Sequence, residues 1–386
     1  FSFEVHHKFS DHVRQWWPKK GSVDYYATLV HHDQVLRGRN LLTFLDGNMT
    51  LRIDSLGYLH YATVEIGTPG VKFLVALDTG SNLFWVPCMC ESCSTGIELG
   101  VYSPSLSPTS KSVACNATLC QRQCSGTDEC PYKVDYISTG TSSSGVLIED
   151  LLHLSTEDEL FNASVVFGCG QVQTGSLVSG AAPNGLFGLG MEKISVPSIL
   201  ARDGLIANSF SMCFSHDGIG RINFGDKGST DQESTPINMG ALYNISITEI
   251  QVGAKLEQEH FALFDSGSSF TCLVDPVYTI VVETFNSQVH DPLNSSYTFE
   301  YCYSFSGGNS SFIPDISITM KGGGKFPVMA PIIWISTPLK DTYCLAVVKS
   351  SDFNIIGQNF MTGHRIVFDR EKLVLGWKTF DCYDTE

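Results

Sequence analysis

Long apolar runs are missing from this chain of 386 residues. A membrane-crossing helix needs roughly 20 consecutive apolar residues, and no stretch approaches that, so no transmembrane segment is expected. Positive charge is also scarce: 24 Lys and Arg stand against 40 Asp and Glu, a net charge of -16. Phosphate contacts require clustered basic side chains, so nucleic acid is excluded as a partner. Long helical periodicity is rare, with "PSILARDGLI" and "PVYTIVVETF" the best candidates for short helices. Neither Gly-x-Ser-x-Gly nor His-Glu-x-x-His occurs, which removes a serine-hydrolase elbow and a zinc-protease helix. An initiating Met is absent too. The chain starts at Phe1, and this predicts that an upstream segment such as a signal peptide has been removed.

What the chain does contain is apolar material, at 43% against 17% charged residues. Its length exceeds what one core usually serves, so two lobes are expected. Short runs rich in Val, Ile, Thr, Phe and Tyr, broken by Gly, Pro, Asn and Ser, give a mostly β reading, as in "YATVEIGTPGVKFLVAL" and "YNISITEIQVG". Thirteen cysteines and six Asn-x-Ser/Thr sequons, at Asn48, Asn116, Asn162, Asn244, Asn294 and Asn309, place the chain in the secretory pathway. These asparagines are the candidate glycosylation sites.

One pattern occurs twice. "LVALDTGSNLFWVP" runs an apolar strand into Asp78, and "FALFDSGSSFTCL" does the same into Asp265, 187 residues later. The flanks repeat as well: "YATVEIG" is echoed by "ISITEIQVG", and "NGLFGLG" downstream of the first acid by "NIIGQNF" downstream of the second. A single Asp-Thr/Ser-Gly is an ordinary turn. Two copies with matched surroundings indicate two halves related by a two-fold axis, with Asp78 and Asp265 meeting on it.

A carboxylate at the mouth of a buried strand is costly to ionise, and two facing carboxylates share one proton over a wide acidic range. The ionised member can then act as general base on a water while the protonated member polarises a carbonyl. Amide hydrolysis without a covalent intermediate follows. Gly80 and Gly267 allow a tight turn with no Cβ in the way, and Thr79, Ser81, Ser266 and Ser268 supply hydroxyls that can hold the carboxylates coplanar.

These motifs, with Trp85 seven residues after the first acid and the elements "LFG" and "IIG", resemble the pepsin-like aspartic proteases from about Gly57 to Cys382. The Cys-rich insert after "WVPC", the "FGCG" at 167–170 and the lack of a saposin-like insertion resemble the atypical, nepenthesin-like branch found in plants. The resemblance implies an all-β, bilobal fold with a cleft between two pseudo-symmetric lobes. It implies an aspartic endopeptidase acting on polypeptide substrates in acid, as a monomer, without a cofactor or metal. The substrate-covering hairpin of the family matches "VDYISTGTSSSG", which places Tyr136 over the cleft with Trp85 as its partner. Ser266 stands where many members have Thr, and the hydroxyl is retained. An inactive relative that binds or inhibits another enzyme is the alternative, since plant xylanase inhibitors use this fold; such proteins typically lose part of one acidic motif, and both are intact here.

Segments ahead of the first lobe in this family are usually inhibitory propeptides, so the resemblance divides the chain into a prosegment at 1–56, an N-terminal lobe at 57–228 carrying the insert 88–130, and a C-terminal lobe at 229–386. The first fifty residues hold six Lys and Arg and five acids, a charge of 6 - 5 = +1, which leaves -16 - 1 = -17 for the remainder. Five of the eleven histidines, His6, His7, His12, His31 and His32, lie there too. Acid neutralises carboxylates on the body while charging these histidines, so the hold weakens. Activation by acid with cleavage between Arg37 and Tyr58 is expected.

Seven cysteines crowd into 88–130. "CMCESC" has a spacing that suits zinc, but no second Cys-x-x-Cys or nearby histidine completes four ligands, and an oxidising compartment favours disulfides. The resemblance implies a Cys302–Cys344 pair, and Cys169 with Cys382 is taken as a link from the first lobe to the C-terminus. The remaining connectivity is not readable. An odd count leaves one thiol over, and Cys272, beside Asp265, is the candidate. The expected location is the cell wall, extracellular space or vacuole, or a lipid-anchored form if a further C-terminal tail exists.

Overall fold

The computed structural model describes residues 2–7, 60–93, 100–122, 124, 128–136, 140–155, 160–178, 182, 184–216, 219–294, 299–305, 312–336, 341–380 and 382. Asn48, Asn309, His12, His31, His32 and the expected cleavage region from Arg37 to Tyr58 lie outside them.

The chain builds two β lobes, each with the same core device. In the first, the hairpin of His60–Ile66 and Val71–Asp78 pairs Tyr61 with Ala76 and Ile66 with Val71. Alternating apolar side chains such as Phe73, Val75 and Leu77 are buried beneath it. Val71–Asp78 then runs parallel to the short strand Leu186–Gly188, with Asp78 opposite Gly188. The second lobe repeats this: Ala254–Phe264 runs parallel to Asn354–Ile356, with Phe264 opposite Ile356. In both lobes the acid therefore leaves its strand beside two apolar residues and a glycine. That placement is what fixes the site.

A long hairpin of Ser142–Ser155 and Leu160–Thr174 wraps the first lobe, and Trp85–Ser92 runs parallel to its second strand. The second lobe adds a small sheet of Cys302–Ser304, Asp341–Leu345 and Ile332–Ser336. Helices are short. Val277–Gln288 buries Val277, Tyr278, Val281, Val282 and Phe285, the i, i+4, i+8 spacing of an amphipathic helix laid on a sheet; Val196–Arg202 and Gln358–Met361 are the other α-helices among the described residues. None is long and apolar enough to cross a membrane.

Between the lobes lies an antiparallel sheet. Ile219–Phe224 pairs with Ser209–Phe214, which pairs with His364–Asp369, then Val374–Thr379, then Glu233–Asn238. Its outer edge is covered by Ser2–His7, which pairs with Ile219–Phe224 and reaches His60 and Tyr61. The N-terminal strand is thus hydrogen-bonded into the body.

Six disulfides are formed: Cys88–Cys169, Cys90–Cys93, Cys115–Cys124, Cys120–Cys130, Cys213–Cys382 and Cys302–Cys344. The expected Cys169–Cys382 link is corrected. Parallel pairing sets Val86 opposite Cys169, which brings Cys88 within 4.9 Å of Cys169 between Cα atoms. Cys382 instead follows Val374–Thr379 to the sheet between the lobes and meets Cys213 there, at 5.7 Å. Cys90 and Cys93 are consumed by one another, which leaves no thiolate pair for a metal. Cys272 is free and buried.

Candidate active site

The strand ends described above deliver Asp78 and Asp265 to one point between the lobes. Their loops contact each other reciprocally. A Cβ built on Gly80 would stand 2.5 Å from Asp265 Oδ1, and one built on Gly267 would stand 2.4 Å from Asp78 Oδ1. No side chain fits at either position, so glycine is required for the carboxylates to face one another.

Behind the carboxylates the two loops grip one another. The Thr79 backbone N–H donates to Ser266 Oγ at 3.0 Å and the Ser266 N–H to Thr79 Oγ1 at 2.9 Å. Each hydroxyl then donates across the axis, Thr79 Oγ1 to the Phe264 carbonyl and Ser266 Oγ to that of Leu77, both at 2.9 Å. All four groups are buried. A serine in place of threonine serves this geometry fully, because only the hydroxyl is used.

The carboxylates are held in plane by their own loops. Gly80 N–H donates to Asp78 Oδ1 at 2.8 Å and Gly267 N–H to Asp265 Oδ1 at 2.7 Å. Ser268 Oγ adds a bond to Asp265 Oδ2 at 2.7 Å. Ser81 lies close enough to Asp78 to favour its charged form but closes no hydrogen bond. Burial, and after it repulsion from Asp265, lifts Asp78 well above the usual carboxylate range. The pair is built to retain a proton.

A cleft of about 420 Å³ opens above the aspartates. Trp85, wholly buried, donates from Nε1 to the Tyr136 hydroxyl at 2.6 Å, so the sequence-selected aromatics are brought together. Burial raises the Tyr136 phenol well above its ordinary value, which keeps its own O–H available as a donor. Tyr136 lines the cleft with Asp78 and Asp265. The Cys-rich insert also reaches the cleft through Leu119, Gln121 and Arg122, and Arg122 Nη2 bonds the Lys133 carbonyl at 2.8 Å on the strand leading to Tyr136. Sequence reading did not select these residues; nothing in the insert marks which of its side chains turn inward.

Gln358 was missed as well. It is 3% exposed and donates from Nε2 to the Ser266 carbonyl at 2.6 Å, while its Oε1 lies 2.9 Å from His60 Nδ1. The available signal was its position directly after the repeated "IIG". Of the sequons, Asn116 and Asn162 are exposed and Asn244 and Asn294 are half-buried.

Comparison with known proteins agrees with this architecture. The family models described as xylanase inhibitor N-terminal and xylanase inhibitor C-terminal match residues 60–226 and 242–379. The chain is 52% identical to Aspartyl protease family protein 1 of Arabidopsis thaliana, covering 100% of this chain and 82% of that protein. It is 38% identical to Aspartic proteinase-like protein 1 of the same plant, with the same coverage. Basic 7S globulin from soybean superposes with a TM-score of 0.68 at 20% identity, covering 84% of this chain and 92% of that one; at that identity the likeness concerns the fold. With two matched lobes and a relative this similar across the whole of this chain, the chain belongs to the pepsin-like aspartic proteases, beside the plant aspartyl proteases.

Proposed function

We propose that this protein is an aspartic endopeptidase that hydrolyses peptide bonds in acid with Asp78 and Asp265 as its catalytic pair. The observation that carries the reading is the reciprocal loop contact that sets two buried carboxylates face to face at the floor of a cleft. In this reading a water lies between them. The ionised Asp265 takes a proton from that water as its oxygen attacks the scissile carbonyl carbon, and the protonated Asp78 donates to the carbonyl oxygen. The tetrahedral diol collapses as the proton held by Asp265 passes to the leaving nitrogen and Asp78 recovers its own. Tyr136, held by Trp85, covers the substrate and excludes bulk water. Polypeptides are the substrates.

Residues 1–56 are proposed as a prosegment, with lobes at 57–228 and 229–386. Support comes from the strand Ser2–His7, which is paired into the sheet between the lobes, and from the opposed charges of segment and body. Acid would loosen that pairing, and cleavage would follow between Arg37 and Tyr58. Glycosylation at the sequons, a secretory destination and a monomeric state belong to the same proposal.

A second reading is a binding protein of this fold without activity, favoured by the description of the matching models as xylanase inhibitors. Both acids and all four flanking hydroxyls stand against it. A pH series of casein digestion, with and without a statine-type inhibitor, tests the proposal. Inhibitor-sensitive cleavage between about pH 3 and 5, abolished in Asp78→Asn, is expected. Tight complex formation with a xylanase and no cleavage at any pH would support the second reading.

A further inference from the structure

The buried residues behind the second aspartate form a line of hydrogen bonds that the scheme above does not use. We propose that His60 and Gln358 are positioning residues that make Asp265, rather than Asp78, the ionised member of the pair; this rests on the proposed hydrolytic function. His60 and Gln358 are each 3% exposed. Gln358 Nε2 donates to the Ser266 carbonyl at 2.6 Å. The amide's other end, Oε1, therefore accepts, and His60 Nδ1, 2.9 Å away, carries the hydrogen. The peptide unit of the Ser266 carbonyl also contains the Gly267 N–H, which donates to Asp265 Oδ1 at 2.7 Å. Every donor in the line points toward Asp265.

Such alignment matters because a carbonyl that accepts a short bond makes its own peptide N–H a stronger donor. A stronger donor to a carboxylate favours the charged form. Gln358 grips the loop a second time, its backbone N–H donating to the Ser268 carbonyl at 2.8 Å, next to the hydroxyl that serves Asp265 Oδ2.

The first lobe matches the backbone grip, with the Gly190 N–H donating to the Ser81 carbonyl at 2.8 Å, but has no side-chain donor of this kind among the described residues. Leu189 follows Leu186–Gly188 where Gln358 follows the corresponding glycine, and a leucine side chain cannot donate. Asp78 accepts from the Gly80 N–H at 2.8 Å. The two loops share a backbone and differ in what stands behind them. The titratable groups about Asp265 are Asp78 across the pair, Tyr136 from the hairpin and His60 behind Gln358. Arg122, Tyr132, Lys133, Asp135 and Glu192 line the same cleft, and the short helix Gln358–Met361 contributes no ionisable side chain.

The test is the pH dependence of kcat/KM for the acid-treated full chain carrying Gln358→Leu, His60→Phe or His60→Asn. Asparagine can place an amide N–H where histidine has Nδ1–H, so it restores the first donor. The acid limb, which reports ionisation of the base, is expected to move up by about half a pH unit in Q358L. H60F should move it in the same direction by less, and H60N should return it toward the wild-type position. A merely structural role would lower the rate at every pH and leave the limb in place, and that result overturns the inference. If Q358L does not fold, the His60 pair decides: equal limbs in H60F and H60N overturn it. A wild-type chain with no activity overturns the proposed function instead, and this inference with it.

Discussion

Thr79 and Ser266 hold one another across the lobes, each backbone N–H bonded to the other's hydroxyl at 3.0 and 2.9 Å. The arrangement is the joint on which the alignment of the aspartates depends, because Thr79 and Ser266 are the residues next to Asp78 and Asp265. Thr79→Val keeps the shape and removes the hydroxyl. It leaves the Ser266 N–H and the Phe264 carbonyl buried without that partner, at about 1–3 kcal/mol each. Urea unfolding should show Thr79→Val destabilised by about 3 kcal/mol and Thr79→Ser by less than about 1 kcal/mol. Equal stability of the two variants would show that the hydroxyl is dispensable.

The Trp85 to Tyr136 bond makes a prediction about coupling. At 2.6 Å it is short and shielded. Trp85→Phe and Tyr136→Phe should each lower kcat/KM by roughly tenfold, and the double variant should lose little more than either one. The resulting cycle should give a coupling of about 1–2 kcal/mol. Additive losses would mean that the two aromatics act separately.

The degree to which sequence revealed this molecule follows from the range of each signal. The mostly β, two-lobed fold was legible because the apolar-strand, acid, glycine pattern is local and occurs twice. The approach of Asp78 to Asp265 follows from the same duplication. Cys169 was assigned the wrong partner because its partner is set by strand register, Val86 opposite Cys169, and register is not written in cysteine spacing. Gln358 passed unnoticed for a related reason. Its amide acts 92 residues away, on Ser266, and a polar residue after "IIG" carries no local mark of that contact.

A buried and a half-buried carboxylate should bend the stability curve in opposite directions. Asp78, raised by burial and by Asp265, binds its proton more tightly when folded. Its contribution is complete below the ordinary carboxylate range near 4 and is lost as pH rises through its elevated folded value. Asp226 is pushed up by burial, but the Ser211 hydroxyl, the Arg365 guanidinium at 2.6 Å and the Gly228 N–H outweigh that and hold it below its usual range. Its contribution is present above about 4 and is lost as pH falls through its depressed folded value. Melting temperatures measured from pH 2 to 9 should therefore fall less steeply toward neutrality in Asp78→Asn, and less steeply toward acid in Asp226→Asn. Curves parallel to wild type in both variants would contradict these assignments.

The disulfides should differ in worth according to the chain they close. Cys213–Cys382 spans 169 residues and ties the end of the chain to the sheet between the lobes, whereas Cys90–Cys93 spans 3. Loop-closure entropy scales with the logarithm of that span, which gives about 5 kcal/mol for the long link and about 1.6 kcal/mol for the short one. Cys213 and Cys382 are both buried, so their replacement by serine also places hydroxyls in an apolar setting; alanine is the cleaner choice. Cys213→Ala/Cys382→Ala should accordingly unfold at a much lower urea concentration than Cys90→Ala/Cys93→Ala, by a margin of about 3 kcal/mol. The reverse order would mean that the short link stabilises through the folded insert itself, by holding the strand Trp85–Ser92 in place, and that chain entropy is the minor effect.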